Sequence, residues 1–266
     1  MPLRLSPTFR AALAASGRPL AGMWACSGSA TVTEIAAGSG LDWLLIDMEH
    51  SALSLETVLV QLQVAAAYPV TPVVRVPWND PVLIKQVLDA GAQNLIVPMV
   101  SSAAEARAAV AATRYPPAGV RGVGSALARS ARWNRVDGYL ADAADHVSLT
   151  VQIETTAGVA AAAEIAAVEG VDAVFVGPSD LSASMGLLGQ QSHPDVVAAV
   201  HAVFAACRDA GTPVGVNAFD PAVAEAYLDA GADFVAVGAD VALLARASEA
   251  LAARFVTARG EQRNSY

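Results

Sequence analysis

The chain has 266 residues, 55% of them hydrophobic and 15% charged, with a formal net charge of −9. That length suits one large α/β domain, and the acidic balance lacks the basic footprint that nucleic acid or an anionic membrane surface calls for. No run approaches the roughly 18 apolar residues of a membrane span, so the apolar excess reads as core.

Taken in chain order, the first residues carry Arg4 and Arg10, but the apolar run AALAA ends within five residues. A secretory signal needs about 7–15 apolar residues there, so none is expected. Two cysteines, Cys26 and Cys207, make neither a disulfide framework nor a thiolate metal cluster, and a reducing cytoplasm fits best. Short apolar β-type runs then alternate with Ala-rich segments of helical length. Strands are predicted near 22–25, 43–46, 71–75, 94–97, 148–153, 172–176, 213–216 and 233–237. The segments DPVLIKQVLDAG and DPAVAEAYLDAG between them are each opened by Asp-Pro and closed by Gly, the start and stop chemistry of helices. LDAGAQNLIVP and LDAGADFVAVG repeat one helix–Gly–strand unit. Eight such units, with strands written as near-continuous Val/Ile/Leu runs, predict a (β/α)8 TIM barrel over residues 1–266 as a single domain. The alternative, a doubly wound open sheet, is disfavoured because no G-x-G-x-x-G follows the first strand. Two long intervals, 115–146 and 177–194, break the spacing.

In a parallel barrel the reactive groups collect at the C-terminal ends of strands. There the second strand releases Asp47, Glu49 and His50, and the third Arg75. The fifth ends in VQIE, whose alternation puts Gln152 and Glu154 on one face. A carboxylate at that position needs a partner, since burying it alone is unfavourable. Glu154 either forms a salt bridge with Arg75 or joins Asp180 as two oxygen ligands of a divalent cation, a donor set that suits Mg²⁺ or Mn²⁺. His50, His146, His193 and His201 show no H-x-x-x-H spacing, which argues against a zinc site. In GPSDLSASMG a turn and helix start offer backbone N–H groups to an anion, with Ser182 expected to cap the helix. Trp24 is either core or substrate wall. Arg121, Arg129, Arg132 and Arg135 are candidates to bind an acidic substrate tail but are expected to be solvated or at a subunit contact instead, and Ser125 in the same loop is a weaker candidate contact.

The motifs GMW, IDMEH, VVRVP, LDAGAQNLIVPMV, RYPPAGVRGVG, QIET and VGPSDLSASMG, in that order, resemble the HpcH/HpaI family of metal-dependent (class II) pyruvate aldolases. That family includes aldolases of 4-hydroxy-2-oxoheptanedioate and of 2-keto-3-deoxy sugar acids. The resemblance runs over about residues 18–250 and implies a barrel of the phosphoenolpyruvate/pyruvate superfamily. It also implies a hexamer, a dimer of trimers, with the last helix exchanged between neighbours. By the same resemblance Glu154 and Asp180 hold Mg²⁺ or Mn²⁺, with Co²⁺ an alternative, and Gln152 and Ser179 contact pyruvate. His50 matches the catalytic base and Arg75 the stabiliser of the transition state. Asp89 matches an acid that raises the basicity of the histidine, and Asp47 a further acid near it. Asp229 stands at the same place as Asp89 in the second LDAG unit, so the pair can also mark a shared helix ending. One position departs from the pattern: Asn217 stands after the seventh strand where well-known members carry an apolar residue, which bears on the acceptor and donor preference.

The reaction these residues point to is reversible aldol cleavage of a 4-hydroxy-2-oxo acid to pyruvate, or hydroxypyruvate, and an aldehyde. Two other readings remain: an acyl-CoA lyase of the malyl-CoA or citryl-CoA type, which needs a basic groove that the low Lys count argues against, and a non-catalytic 2-oxo-acid-binding barrel, which would not need His50.

Overall fold

Eight parallel strands close on themselves in chain order: β1 (Leu20–Ala25), β2 (Trp43–Asp47), β3 (Thr71–Arg75), β4 (Asn94–Val97), β5 (Ser148–Ile153), β6 (Ala173–Val176), β7 (Val214–Asn217) and β8 (Phe234–Ala239). Each pairs with the next, and β8 returns to β1. The computed structural model describes residues 3–256. The predicted strands lie within one to two residues of these bounds, and the open sheet is excluded by the closure.

Period-two alternation explains how the strands serve both an inner and an outer core. On β2, Trp43, Leu45 and Asp47 share one side, and Leu44 and Ile46 take the other. Trp43, Leu45, Val73, Ile96, Phe175 and Phe234 fill the interior, while Leu44, Ile46, Val74, Leu95 and Val151 pack outward on helix residues such as Leu62, Ile84 and Leu88. Trp43 sits at the centre, with ring centroids 5.5 Å from Phe9 and 5.7 Å from Phe234. A Cβ at Gly22 would come within 2.4 Å of that indole, so β1 needs glycine at this crossing. The helix Phe9–Ala15 closes the N-terminal end: Phe9 N donates to Asn94 Oδ1 and Arg10 N to Ser148 Oγ, at the first residues of β4 and β5. The opposite end stays open.

Helix punctuation follows the sequence expectation. Asp80 and Asp220 accept N–H bonds from Val82 and Leu83 and from Ala222 and Val223, with Pro81 and Pro221 in the first turn. Two expectations fail. Arg121 is neither solvated nor free for a contact: it is 1% exposed, lies 3.2 Å from Asp89 Oδ1 and stacks 4.8 Å over the Tyr115 ring. Ser182 does not cap its helix, Pro178–Ser184; it lies inside the helix and donates its hydroxyl to the Ser179 carbonyl. His146 stacks on Tyr139, His193 caps the helix Pro194–Ala210, and His201 lies within that helix beside Tyr227. Among the described residues no helix is long and apolar enough to cross a membrane.

Candidate active site

At the open end, β2 and β3 finish side by side, with Asp47 in register with Arg75. Asp47 is 2% exposed and accepts from Arg75 Nε at 2.8 Å and Nη2 at 3.0 Å. The same carboxylate accepts the backbone N–H groups of Glu49 and His50 and the Ser51 hydroxyl, so it folds the turn that follows the strand. It therefore serves the backbone of His50 and makes no bond to its imidazole. Arg75 Nη1 lies 2.9 Å from Glu49 Oε2, and the guanidinium sits 4.3 Å over the Trp24 ring. Nε and Nη2 of Arg75 donate to Asp47, while Nη1 approaches Glu49 as an ion pair without a hydrogen bond, which leaves N–H groups on Nη1 and Nη2 for a ligand.

Trp24 packs on Phe175 and also lines the cavity, and its Nε1 donates to Asn217 Oδ1 at 2.8 Å. The carbonyl of Asn217 is thus engaged, and its amide N–H₂ remains available. Ser179 donates to Gln191 Oε1 at 2.8 Å, which ties the 177–194 interval to itself.

Across the mouth, Gln152 and Glu154 do share a face. Glu154 is 1% exposed; Met99 N donates to its Oε1 at 2.8 Å and Gln152 Nε2 donates to its Oε2. Arg75 is committed to Asp47 and Glu49, so the expected alternative of a Glu154–Arg75 salt bridge is overturned. Burial pushes the Glu154 carboxyl up to about 7, opposed by the Met99 and Gln152 N–H groups and reinforced by the charges of Glu49 and Asp180. Glu49 is likewise pushed up to about 7 by burial; Arg75 opposes the shift, and Asp47 and Asp180 add to it.

A cavity of about 300 Å³ collects Trp24, Asp47, His50, Arg75, Gln152, Ser179, Asp180 and Asn217. Glu154 lies directly behind its wall, against Gln152 and Gly177; a Cβ on Gly177 would come within 2.6 Å of Glu154 Oε2. Asp89 is not brought to this place. It lines a separate hollow of about 510 Å³ with Leu127 and Trp133, and pairs with Arg121. Three contributors escape a reading of the sequence: Glu49 as a partner of Arg75, Met99 as a donor to Glu154, and Gly177 as the cradle of that carboxylate. Glu49 stands in the IDMEH run, where its proximity to Asp47 is the available signal. Met99 and Gly177 act through backbone and empty space, which side-chain chemistry does not announce.

The residues present fit a divalent cation. Glu49, Glu154 and Asp180 repel one another in a partly buried site, and the buried Gln152 Oε1 has no partner among the described residues. A cation beside Glu154 and Asp180 would relieve both conditions, and an all-oxygen donor set suits Mg²⁺, Mn²⁺ or Co²⁺.

Residues 20–247 match the HpcH/HpaI aldolase/citrate lyase family. A Shigella sonnei (strain Ss046) protein named 4-hydroxy-2-oxo-heptane-1,7-dioate aldolase is 56% identical over 248 residues, 93% of this chain and 94% of that one. The crystal structure of a HpcH/HpaI aldolase/citrate lyase family protein from Burkholderia cenocepacia J2315 is 42% identical with a TM-score of 0.88, covering 92% of this chain and 97% of that one. A HpcH/HpaI aldolase from Desulfitobacterium hafniense DCB-2 is 30% identical with a TM-score of 0.85, covering 97% and 99%.

Proposed function

The chain belongs to the HpcH/HpaI aldolase/citrate lyase family, and from that premise we propose that it reversibly cleaves 4-hydroxy-2-oxo acids, such as 4-hydroxy-2-oxo-heptane-1,7-dioate, to pyruvate and an aldehyde. The observation that carries the reading is one cavity that gathers an exposed imidazole, a fixed guanidinium and the Asp180 carboxylate, with Glu154 directly behind its wall against Gln152 and Gly177. Gln152 and Ser179 form the wall where the pyruvate end rests. His50, exposed at the rim, takes the C4 hydroxyl proton as the C3–C4 bond breaks. The bonding pair passes to the pyruvate half as an enolate and the aldehyde forms at C4; a proton from solvent reaches C3 to complete pyruvate, and the protonated His50 returns its own proton to solvent. Arg75 brings its unused N–H donors and its charge beside the enolate oxygen, held in direction by the two bonds to Asp47 and the ion pair with Glu49. Glu154 and Asp180 would hold the cation, which supplies Lewis-acid withdrawal of charge from the 2-oxo group when bound.

Asn217 turns an amide N–H₂ toward the acceptor side, which favours hydroxylated substrates and admits hydroxypyruvate as a donor. The last helix, Asp240–Phe255, leaves Leu244, Leu251 and Phe255 exposed, which supports a homo-oligomer, a hexamer by family resemblance, in which this helix packs on a neighbour. Asp89 then reaches a neighbour's His50 from its own separate hollow. Two free cysteines, one of them buried, support a reducing cytoplasm. A coupled assay for pyruvate with 4-hydroxy-2-oxo acids tests the reading: steady release is expected, and its absence on every such acid would leave the non-catalytic barrel.

A further inference from the structure

Met99 follows β4 with φ 58°, in the left-handed region that residues with a Cβ rarely enter. Its side chain does not explain the conformation, because Met99 belongs to none of the core clusters. Its backbone does. In this conformation Met99 N points at Glu154 Oε1, 2.8 Å away. The next residues continue the same latch: Val100 N donates to the Gln152 carbonyl at 3.0 Å, and the Ser101 and Thr155 hydroxyls meet at 2.6 Å. Three successive residues of the loop after β4 therefore grip the end of β5. On the other side of the carboxylate stand Gln152 Nε2 and the Cβ-free surface of Gly177.

We propose that Met99 is a positioning residue, whose left-handed backbone aims a peptide N–H at Glu154 Oε1 and so sets the carboxylate direction on which cation binding depends. The inference rests on the reading of Glu154 as a cation ligand. It assigns the tuning of that ligand to backbone conformation, so cation affinity follows the tolerance of residue 99 for positive φ and not the size of its side chain. Glycine enters this region freely and asparagine readily, whereas β-branched residues are the most strongly excluded.

The test is the Mn²⁺ dissociation constant, read from the paramagnetic resonance of free Mn²⁺, for Met99→Gly, Met99→Asn, Met99→Val and Met99→Ile, with the melting temperature of each metal-free protein. Met99→Gly and Met99→Asn are expected to stay within about twofold of the wild type, although neither restores the methionine side chain. Met99→Val and Met99→Ile are expected to bind Mn²⁺ roughly tenfold more weakly, the effect of the extra crowding that a branched Cβ meets in this region beyond that of methionine. Wild-type affinity in the folded Val and Ile variants overturns the proposal, and so does a loss common to all four. If the branched variants do not fold, loss of affinity in Met99→Gly and Met99→Asn overturns it alone. Absence of Mn²⁺ binding to the wild type instead overturns the cation reading, and the proposal with it.

Discussion

Asp47 and Arg75 are joined twice, once as register partners across β2 and β3 and once as a buried bidentate pair with N–O distances of 2.8 and 3.0 Å. The strand ladder sets the distance and the side chains set the direction, so Arg75 enters the cavity with little freedom left to lose. Asp47→Ala would strand a guanidinium that is 4% exposed and release the turn carrying His50. A loss of about 3–5 kcal/mol of stability is expected, measured by denaturant unfolding. Arg75→Lys keeps the charge but cannot make the fork, so it is expected to fold and to lose turnover. Wild-type turnover in Arg75→Lys would remove Arg75 from the chemistry.

His50 is separable from the acids behind it. His50→Ala is expected to retain Mn²⁺ and lose about 10²–10⁴-fold in rate, the usual contribution of general acid–base catalysis. Glu154→Ala and Asp180→Ala are expected to lose both metal binding and turnover. Loss of Mn²⁺ from His50→Ala, by equilibrium dialysis, would make His50 a ligand instead of the base.

The two raised carboxyls tie stability to pH. Glu49 and Glu154 stand near 7 in the folded protein, against an ordinary value of 4.5. Between those values the folded chain holds protons that the unfolded chain has released. Their contribution is complete below 4.5 and is lost as pH rises through about 7 in the metal-free protein. A bound cation competes with those protons, so the rise in melting temperature caused by Mn²⁺ is expected to be larger at high pH than at low. Melting with EDTA or Mn²⁺ across that interval checks it; a pH-independent rise would contradict the assignment.

Much of the barrel and of its mouth is legible in the order of the amino acids. Asp-Pro starts, Gly stops and apolar runs locate the eight strands, because local punctuation and period carry that information. Asp47, His50, Arg75, Gln152 and Asp180 can be named because strand ends at the barrel mouth collect polar groups. Pairings are harder. Arg75 chooses Asp47 and Glu49 over Glu154, a choice set by which strands are neighbours in register. Arg121 reads as a solvated arginine in a Gly- and Pro-rich stretch, yet the loop folds back and buries it against Asp89 and Tyr115. Long-range closure decides such cases, and no local signal reports it.

Asn217 carries a structural and a functional consequence that can be told apart. Asn217→Leu removes the acceptor of the nearly buried Trp24 N–H, with an expected loss of about 1–3 kcal/mol. It is also expected to lower kcat/KM on hydroxylated substrates more than on unhydroxylated ones. Equal losses on both would confine Asn217 to holding Trp24.

Asp89 offers a test of assembly. Since it lines a different hollow from His50, any direct influence on that histidine would have to come from a second subunit. Mixing His50→Ala with Asp89→Asn subunits is expected to restore part of the activity in hybrids. No restoration, with subunit exchange demonstrated, would assign Asp89 to its pairing with Arg121 alone.

The chemistry proposed for this barrel is metal-assisted aldol cleavage without a covalent enzyme–substrate bond. A Schiff base needs a lysine at the reacting carbonyl. The sole lysine of the chain, Lys85, lies on the helix Pro81–Asp89 and does not line the cavity. The decisive measurement follows pyruvate release from a 4-hydroxy-2-oxo acid after treatment with EDTA, and separately after borohydride in the presence of pyruvate. EDTA is predicted to abolish release, Mg²⁺ or Mn²⁺ to restore it, and borohydride to leave it intact. Release that survives EDTA and is irreversibly lost to borohydride would instead mean a Schiff-base enzyme.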